Sequence, residues 1–110
     1  MQERISLDVQ IKKGLLDACV LVVLEQGESY GYKIISDLKV VIEISESTLY
    51  PILKRMEAGG LLAVNGREYN GRVRKYYQIT TLGLGRLCEF RKMIGDMDKI
   101  YKFISGGKSE

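Results

Sequence analysis

Two stretches of the chain combine residue types that can bond phosphates and base edges. In the first, SESTLYPILKRMEAGGL (residues 45–61), Leu49, Ile52, Leu53 and Met56 fall at i, i+3, i+4 and i+7, the apolar stripe of a helix packed on a core. The opposite face then shows Ser47, Thr48, Tyr50, Lys54 and Arg55 to the outside. These hydroxyls, this phenol and these cations suit phosphate oxygens and base edges. Ser45 or Ser47 can act as N-cap, and Gly59 and Gly60 offer a left-handed exit. Pro51 costs nothing in a first turn, but in a helix beginning at Ser45 it lies deeper and should bend the axis.

In the second stretch, LLAVNGREYNGRVRKYYQIT (residues 61–80), the apolar period drops from 3.6 to 2. Asn70-Gly71 is a strong hairpin signal, because a type I′ turn needs positive φ at both central positions. A turn there pairs Tyr69 with Arg72, Arg67 with Arg74, Val64 with Tyr77 and Leu62 with Ile79. Leu62, Val64, Tyr77 and Ile79 then share a core-facing side, while Arg67, Arg72 and Arg74 with Tyr69 and Tyr76 share the other. A turn at Asn65-Gly66 would set Val64 opposite Arg67 and lose this sorting, so Gly66 reads as a bend or bulge. Arg67, Arg72, Arg74 and Lys75 against Glu68 give a local charge excess equal to the whole chain's net +3.

Other elements must hold these two stretches in place. Residues 12–26, KKGLLDACVLVVLEQ, are apolar nearly all round between Leu15 and Leu24, which predicts a central helix buried on several sides and stopped by Gly27. Ser29 offers an N-cap for a second helix, with Ile34, Ile35 and Leu38 as its inward stripe and Tyr30 and Tyr32 as core rims or backbone contacts. Residues 40–44 form a β-branched link, either an edge strand or a plain connection. Two short helices joined in this way make a helix-turn-helix, and the hairpin after them is a wing. Thr80 or Thr81 caps a last helix over residues 82–104, where Leu87, Phe90, Ile94, Met97, Tyr101 and Ile104 keep the spacing of a helix packed along another helix. Met93 and Ile100 widen that stripe beyond what one protomer covers, which predicts a dimer; folding back onto the chain's own N-terminal helix is the competing arrangement. Residues 1–11 alternate loosely and fit an arm, a strand or a helical lead-in.

A length of 110 residues fits one folded body, 45% hydrophobic and 28% charged, the balance of a globular protein. It divides into a winged helix-turn-helix over residues 1–81 and a dimerisation helix with a short tail over residues 82–110. Charges interrupt the first ten residues and no apolar run reaches a membrane span, so no membrane partner and a cytoplasmic location are expected. Cys19 and Cys88 stand alone among apolar residues and read as buried free thiols, with no metal site. Without histidine, paired carboxylates, a phosphate-binding glycine loop or an activated cysteine, the chain is not expected to be an enzyme and no cofactor is implied.

Through KKGLLDACVLVVL, YGYKI, STLYPILKRMEAGGL and GRVRKYYQITTLG, the chain resembles the PadR family of bacterial winged-helix transcriptional regulators, over residues 12–81. Its size and single C-terminal helix are similar to the short subgroup. The resemblance implies an α+β fold, mainly helical with a small hairpin wing. It also implies a homodimer reading a palindromic operator in double-stranded DNA, and repression relieved by a small molecule. Ser47, Thr48 and Tyr50 would then lie near the major groove, Lys54 at its edge or on phosphate, and Tyr32 and Lys33 on the flanking backbone. Arg72, Arg74 and Lys75 would follow phosphates or enter the minor groove. Leu15, Cys19, Leu87, Phe90, Ile94, Met97, Tyr101 and Ile104 are the expected dimer contacts. A small apolar or aromatic effector would lie among Leu15, Cys19, Phe90, Met93 and Met97, for which plain dimer core is the competing reading. Family members often carry glycine at position 47 and a basic residue at position 73, where this chain has Ser47 and Val73; the tryptophans that stack planar drugs in some members are absent here. The alternative function is a winged-helix module that holds protein partners without binding DNA.

Overall fold

A helix that is apolar on most sides has to be covered on most sides, and the long apolar run near the N-terminus organises the fold for that reason. The computed structural model describes residues 9–107, with side chains from residue 14 onward. Helix α1 spans Val9–Glu25, α2 Gly31–Leu38, α3 Glu46–Ala58, strand β1 Leu62–Tyr69, β2 Arg72–Ile79 and α4 Thr81–Ile104. This is the expected α+β arrangement of four helices and one antiparallel hairpin. α1 begins three residues before the expected position 12, so residues 9–11 of the ambiguous opening are helical, and the rest of that stretch lies outside the described residues. α2, α4 and β2 all pack on α1, burying Leu16, Ala18, Val20, Leu21 and Leu24. Val22 stays exposed, so the pillar keeps one wet edge.

The stripes predicted for α2 and α3 are buried as expected: Ile34 and Leu38 on one, Leu49, Ile52, Leu53 and Met56 on the other. Burying one such side chain contributes roughly 1.5–3 kcal/mol, against roughly 0–1 for an exposed ion pair, so the stripe and not the surface charge seats α3. Ser45 is the N-cap of α3, its Oγ accepting from the Thr48 N–H at 3.3 Å. Pro51 is inside the helix, which nevertheless continues to Ala58; the missing N–H leaves the carbonyl of exposed Ser47 without an i+4 donor. At the C-terminal end only Gly60 takes a left-handed conformation, at φ 80°.

One local expectation is corrected, and one open alternative is decided in favour of a plain connection. Ser29 does not cap α2: its N–H donates to the Tyr77 carbonyl at 3.0 Å and its carbonyl accepts from the Tyr77 N–H at 2.7 Å, so the residue is tied to β2 and Tyr30 occupies the cap position with no side-chain bond. Residues 40–44 form no strand. The turn after α2, closed by the Ile42 N–H on the Leu38 carbonyl at 2.8 Å, buries Ile42 and leaves Val40 and Val41 exposed, overriding their strand preference.

The hairpin has the expected register at every pair from Leu62↔Ile79 to Tyr69↔Arg72, with Asn70 and Gly71 at φ 51° and 77°. Gly66 pairs one-for-one with Lys75, so it is not a bulge; a Cβ there would come within 3.1 Å of Val73 Cγ1, and glycine answers that cross-strand limit. At the foot of the wing, Thr80 caps α4. Its Oγ1 accepts from the Gly83 N–H at 3.0 Å and donates to the Gly60 carbonyl at 2.7 Å, while its own N–H donates to the Leu61 carbonyl at 3.0 Å. Gly83 fits this joint because a Cβ would lie 2.7 Å from Ile79 Cγ1 and would also strike the Leu61 carbonyl oxygen. One turn further, Leu87 enters the core, and Arg91 forks onto Glu25 of α1 at 2.8 and 3.0 Å. Beyond Phe90 every described residue of α4 is exposed, and the projecting helix gives the chain extents of 58 × 32 × 22 Å.

Gly83→Ala is expected to lower thermal stability by about 1–3 kcal/mol through overpacking at this joint. Gly85→Ala, on the same helix with nothing within 4 Å of its Cβ position, should raise stability by up to about 1 kcal/mol. Melting both at one protein concentration checks the pair. A second expectation concerns Glu25, whose carboxyl is held below its usual value by hydrogen bonds from Arg91. A depressed folded-state pKa gives stability above the unfolded value that is lost as pH falls through the folded value. Glu25→Gln should therefore flatten the acid limb of melting temperature against pH below the ordinary glutamate pKa of about 4.3.

Candidate nucleic-acid interface

At the N-terminus of α3 the Ser45 Oγ lies 2.9 Å from the Ser47 Oγ and 3.3 Å from the Thr48 Oγ1, and all three residues are exposed. Free N–H groups and the positive end of the helix dipole favour an anion here, so Ser47 and Thr48 are placed as well for a phosphate as for a base edge. Tyr50 leans back on α2: a Cβ on Gly31 would fall 2.8 Å from its Cζ, so glycine is what admits the ring. Burial, and secondarily the charge of Glu46, push the Tyr50 hydroxyl above the ordinary tyrosine pKa, which keeps it a hydrogen-bond donor at neutral pH. Lys54 is exposed. Arg55 is not available in the same way, because its guanidinium forks onto Asp17 of α1 at 2.8 and 3.0 Å; these bonds raise its pKa and tie α3 to the pillar. On α2, Tyr32 is 73% exposed and Lys33 is paired with Asp37 at 3.0 Å.

The basic face of the wing is divided between outward and inward uses. Arg67 pairs with Glu28 at 2.7 Å and lies 3.7 Å over the Tyr76 ring. Tyr76 meets Tyr30 edge-on at 5.5 Å. Arg74 lies over the Tyr30 ring at 4.0 Å and the Tyr69 ring at 3.9 Å, and the Tyr76 hydroxyl two residues on raises its pKa. Arg72 is exposed, and Lys75, opposite Gly66, belongs by register to the other face of the hairpin. Sequence reasoning missed this ladder of alternating rings and guanidinium groups. Its signal was present, since Arg67, Tyr69, Arg74 and Tyr76 share one strand face; the missing partner was Tyr30, which only the tertiary fold brings beneath them.

Between α2, α3 and the wing runs a cleft of about 950 Å³, onto which Tyr32, Tyr50, Arg72, Arg74 and Lys75 all open together with Tyr30. Five of the nine residues expected to touch DNA thus converge on one concavity. Ser47, Thr48 and Lys54 are set along exposed α3 outside the residues that line it, and Lys33 stands on α2 beside its acidic partner.

The expected dimer contacts fall into two groups. Leu87 is 1% exposed and belongs to the chain's own core, while Leu15, Cys19 and Phe90 are half-buried along α1 and α4. Ile94, Met97, Tyr101 and Ile104 are exposed, as are Met93, Ile100 and Phe103. Both cysteines are free, but Cys88 is exposed and not buried as expected; burial raises the pKa of the Cys19 thiol. Among the described residues no helix is long and apolar enough to cross a membrane.

A winged helix-turn-helix with this surface invites comparison with known regulators. The family model for the transcriptional regulator PadR-like family matches residues 20–89, well over half of the chain. The chain belongs to the PadR-like family. It is similar in structure to a PadR-like transcriptional regulator of Bacillus cereus, with a TM-score of 0.74 and 32% identity over 90% of this chain and 99% of that one. A PadR family regulator of Eggerthella lenta has a TM-score of 0.74 and 33% identity, covering 87% of each chain. In sequence, 66 residues are 38% identical to a transcriptional regulator of Mycobacterium tuberculosis, covering 60% of this chain and 59% of that protein. PadR proteins are DNA-binding transcription regulators and not enzymes, and the same holds for this chain. The PadR match extends past the wing to Glu89 and so includes the Thr80–Gly83 joint and the buried Leu87.

Arg55→Ala is expected to cost about 1 kcal/mol or less of stability, since its half-exposed pair is screened by water, and to leave the salt dependence of DNA binding unchanged. Lys54→Ala should instead lower the slope of log affinity against log salt by about 1. Anisotropy titrations at several salt concentrations, with melting curves alongside, separate the two.

Proposed function

We propose that this PadR-family chain is a homodimeric cytoplasmic repressor that reads a palindromic operator and is released by a small apolar or aromatic molecule. Residues 1–81 form the DNA-binding unit and residues 82–110 the dimerisation segment. The observation that carries the reading is the bare apolar stripe of α4: Met93, Ile94, Met97, Ile100, Tyr101 and Ile104 are all exposed on a helix that projects from the core. Monomers rarely leave so long a contiguous apolar strip in water, whereas a second copy laid along it buries both.

In such a dimer each protomer presents Ser47, Thr48, Tyr50 and Lys54 of α3 to the major groove, Tyr32 and Lys33 to the flanking backbone, and Arg72 and Lys75 of the wing to phosphates or the minor groove. Two-fold symmetry then asks for half-sites about 10 base pairs apart, or a multiple. An effector seated among Leu15, Cys19, Phe90, Met93 and Met97 at the dimer centre acts by favouring one spacing of the two α3 helices, and its coupling to DNA is reciprocal.

Met97→Glu combined with Ile100→Glu should give monomers in sedimentation velocity and lower affinity for the DNA upstream of the chain's own gene by more than about tenfold, since one half-site contact alone remains. The far-ultraviolet spectrum should stay helical. A variant that remains dimeric with unchanged affinity removes the stripe from the interface. Wild-type protein that binds upstream and shuffled duplexes equally removes the operator.

A further inference from the structure

We propose that Arg74 is a positioning residue that clamps the wing onto the N-terminus of α2, and that Arg72 and Lys75 are the wing cations left to meet DNA phosphates. The inference rests on the DNA-binding reading of the α3–wing surface and changes the role that composition alone suggests for the most central wing arginine.

The geometry of Arg74 points to this role through two ring contacts. Its guanidinium carbon lies over two rings, Tyr30 at 4.0 Å and Tyr69 at 3.9 Å, distances at which a cation is held by the negative faces of the rings. Tyr30 belongs to the turn before α2 and Tyr69 to the tip of β1, so one planar cation on β2 joins three segments. The rings take the faces of the guanidinium and not its in-plane N–H groups, so a clamp and a phosphate contact differ in what a charge-neutral replacement does to the salt slope.

Neighbouring contacts extend the attachment. Tyr76 receives Arg67, which is anchored to Glu28 in the same turn, and the next residue of β2, Tyr77, exchanges two backbone hydrogen bonds with Ser29. Residues 28–30 are thus joined to residues 67–77 by an ion pair, a backbone bridge and an edge-on ring pair. Because α2 packs directly on α3, the junction fixes the angle between wing and recognition helix. A lysine cannot take over: an ammonium carries the same charge but has no plane to lay over two rings.

Charge and planarity therefore separate in a test. In the free full-length protein, the Arg74 Nε–H proton should resonate upfield of its random-coil position through the ring currents of Tyr30 and Tyr69, and should return toward it in Tyr69→Leu. This readout does not depend on DNA. In anisotropy titrations across a salt series, Arg74→Lys should lose about tenfold in affinity for the upstream duplex, as expected when a cation no longer lies over two rings beside a packed surface, while the slope against log salt stays at the wild-type value. Tyr69→Leu should lose a similar amount, and Tyr69→Phe, which restores the ring over the guanidinium, should recover most of it. Arg72→Gln should lower the slope by about 1. If Arg74→Gln lowers the slope by about 1, whatever Arg74→Lys does, Arg74 is a phosphate contact and the clamp is wrong. An Arg74 Nε–H resonance at its random-coil position in the free protein overturns it as well. Wild-type protein without salt-sensitive DNA binding would defeat the DNA reading of this surface while leaving the resonance test of the clamp standing.

Discussion

Burial of α1 is the constraint on which the rest of the structure depends. A helix that buries Leu16, Ala18, Val20, Leu21 and Leu24, over more than half of its circumference, has no stable place at a surface. In a chain of 110 residues almost everything else must serve as its cover. α2 covers one side, the first turns of α4 another, and β2 closes a third through Tyr77. α3 is then seated on α2 and the start of β1, with the Arg55–Asp17 fork fixing it to the pillar from its outer side. The surface offered to DNA is what remains once this core has been satisfied.

The joint around Leu61 converts that core into long-range geometry. The Met56 carbonyl accepts from the Leu61 N–H as α3 ends, and the Leu61 carbonyl accepts from Thr80 as α4 begins. Gly83 lets the backbone of α4 approach that carbonyl more closely than any side chain would permit. The end of α3 and the start of α4 are therefore held by the same few peptide groups. Whatever the bare end of α4 packs against, its direction relative to α3 is set here and not by a flexible linker. For a regulator whose partner lies along α4, this is the mechanical link between pairing of chains and spacing of recognition helices.

Charge on the wing has two uses that composition cannot distinguish. The local excess of positive charge invites a purely electrostatic reading, yet Arg67 is neutralised by Glu28 and Arg74 lies over two rings. Arg55 on α3 follows the same pattern, spent on Asp17 although its position on the helix faces outward. Counting basic residues overstates the unpaired cations, since Arg55 and Arg67 are matched by carboxylates.

Periodicity and turn chemistry made most of the fold legible in the sequence alone: the stripes of α2 and α3, the hairpin with every pair in register, the Thr80 cap and the PadR resemblance. These rest on local rules, since the helical period, the positive φ demanded at Asn70-Gly71 and the alternation of a strand depend only on neighbours along the chain. Tertiary structure decided what depends on distant partners. Ser29 became a bridge to Tyr77 and not a cap, because β2 lies alongside it. Gly66 answered Val73 across the hairpin and not a bulge. Leu87 was claimed by the chain's own core while Ile94, Met97 and Ile104 on the same stripe were left bare, because α4 outruns the pillar it packs on. Which arginines are free is likewise a matter of what stands opposite them: Asp17, Glu28 and Tyr30 are 38, 39 and more than 40 positions away from the cations they hold, beyond the reach of any local pattern.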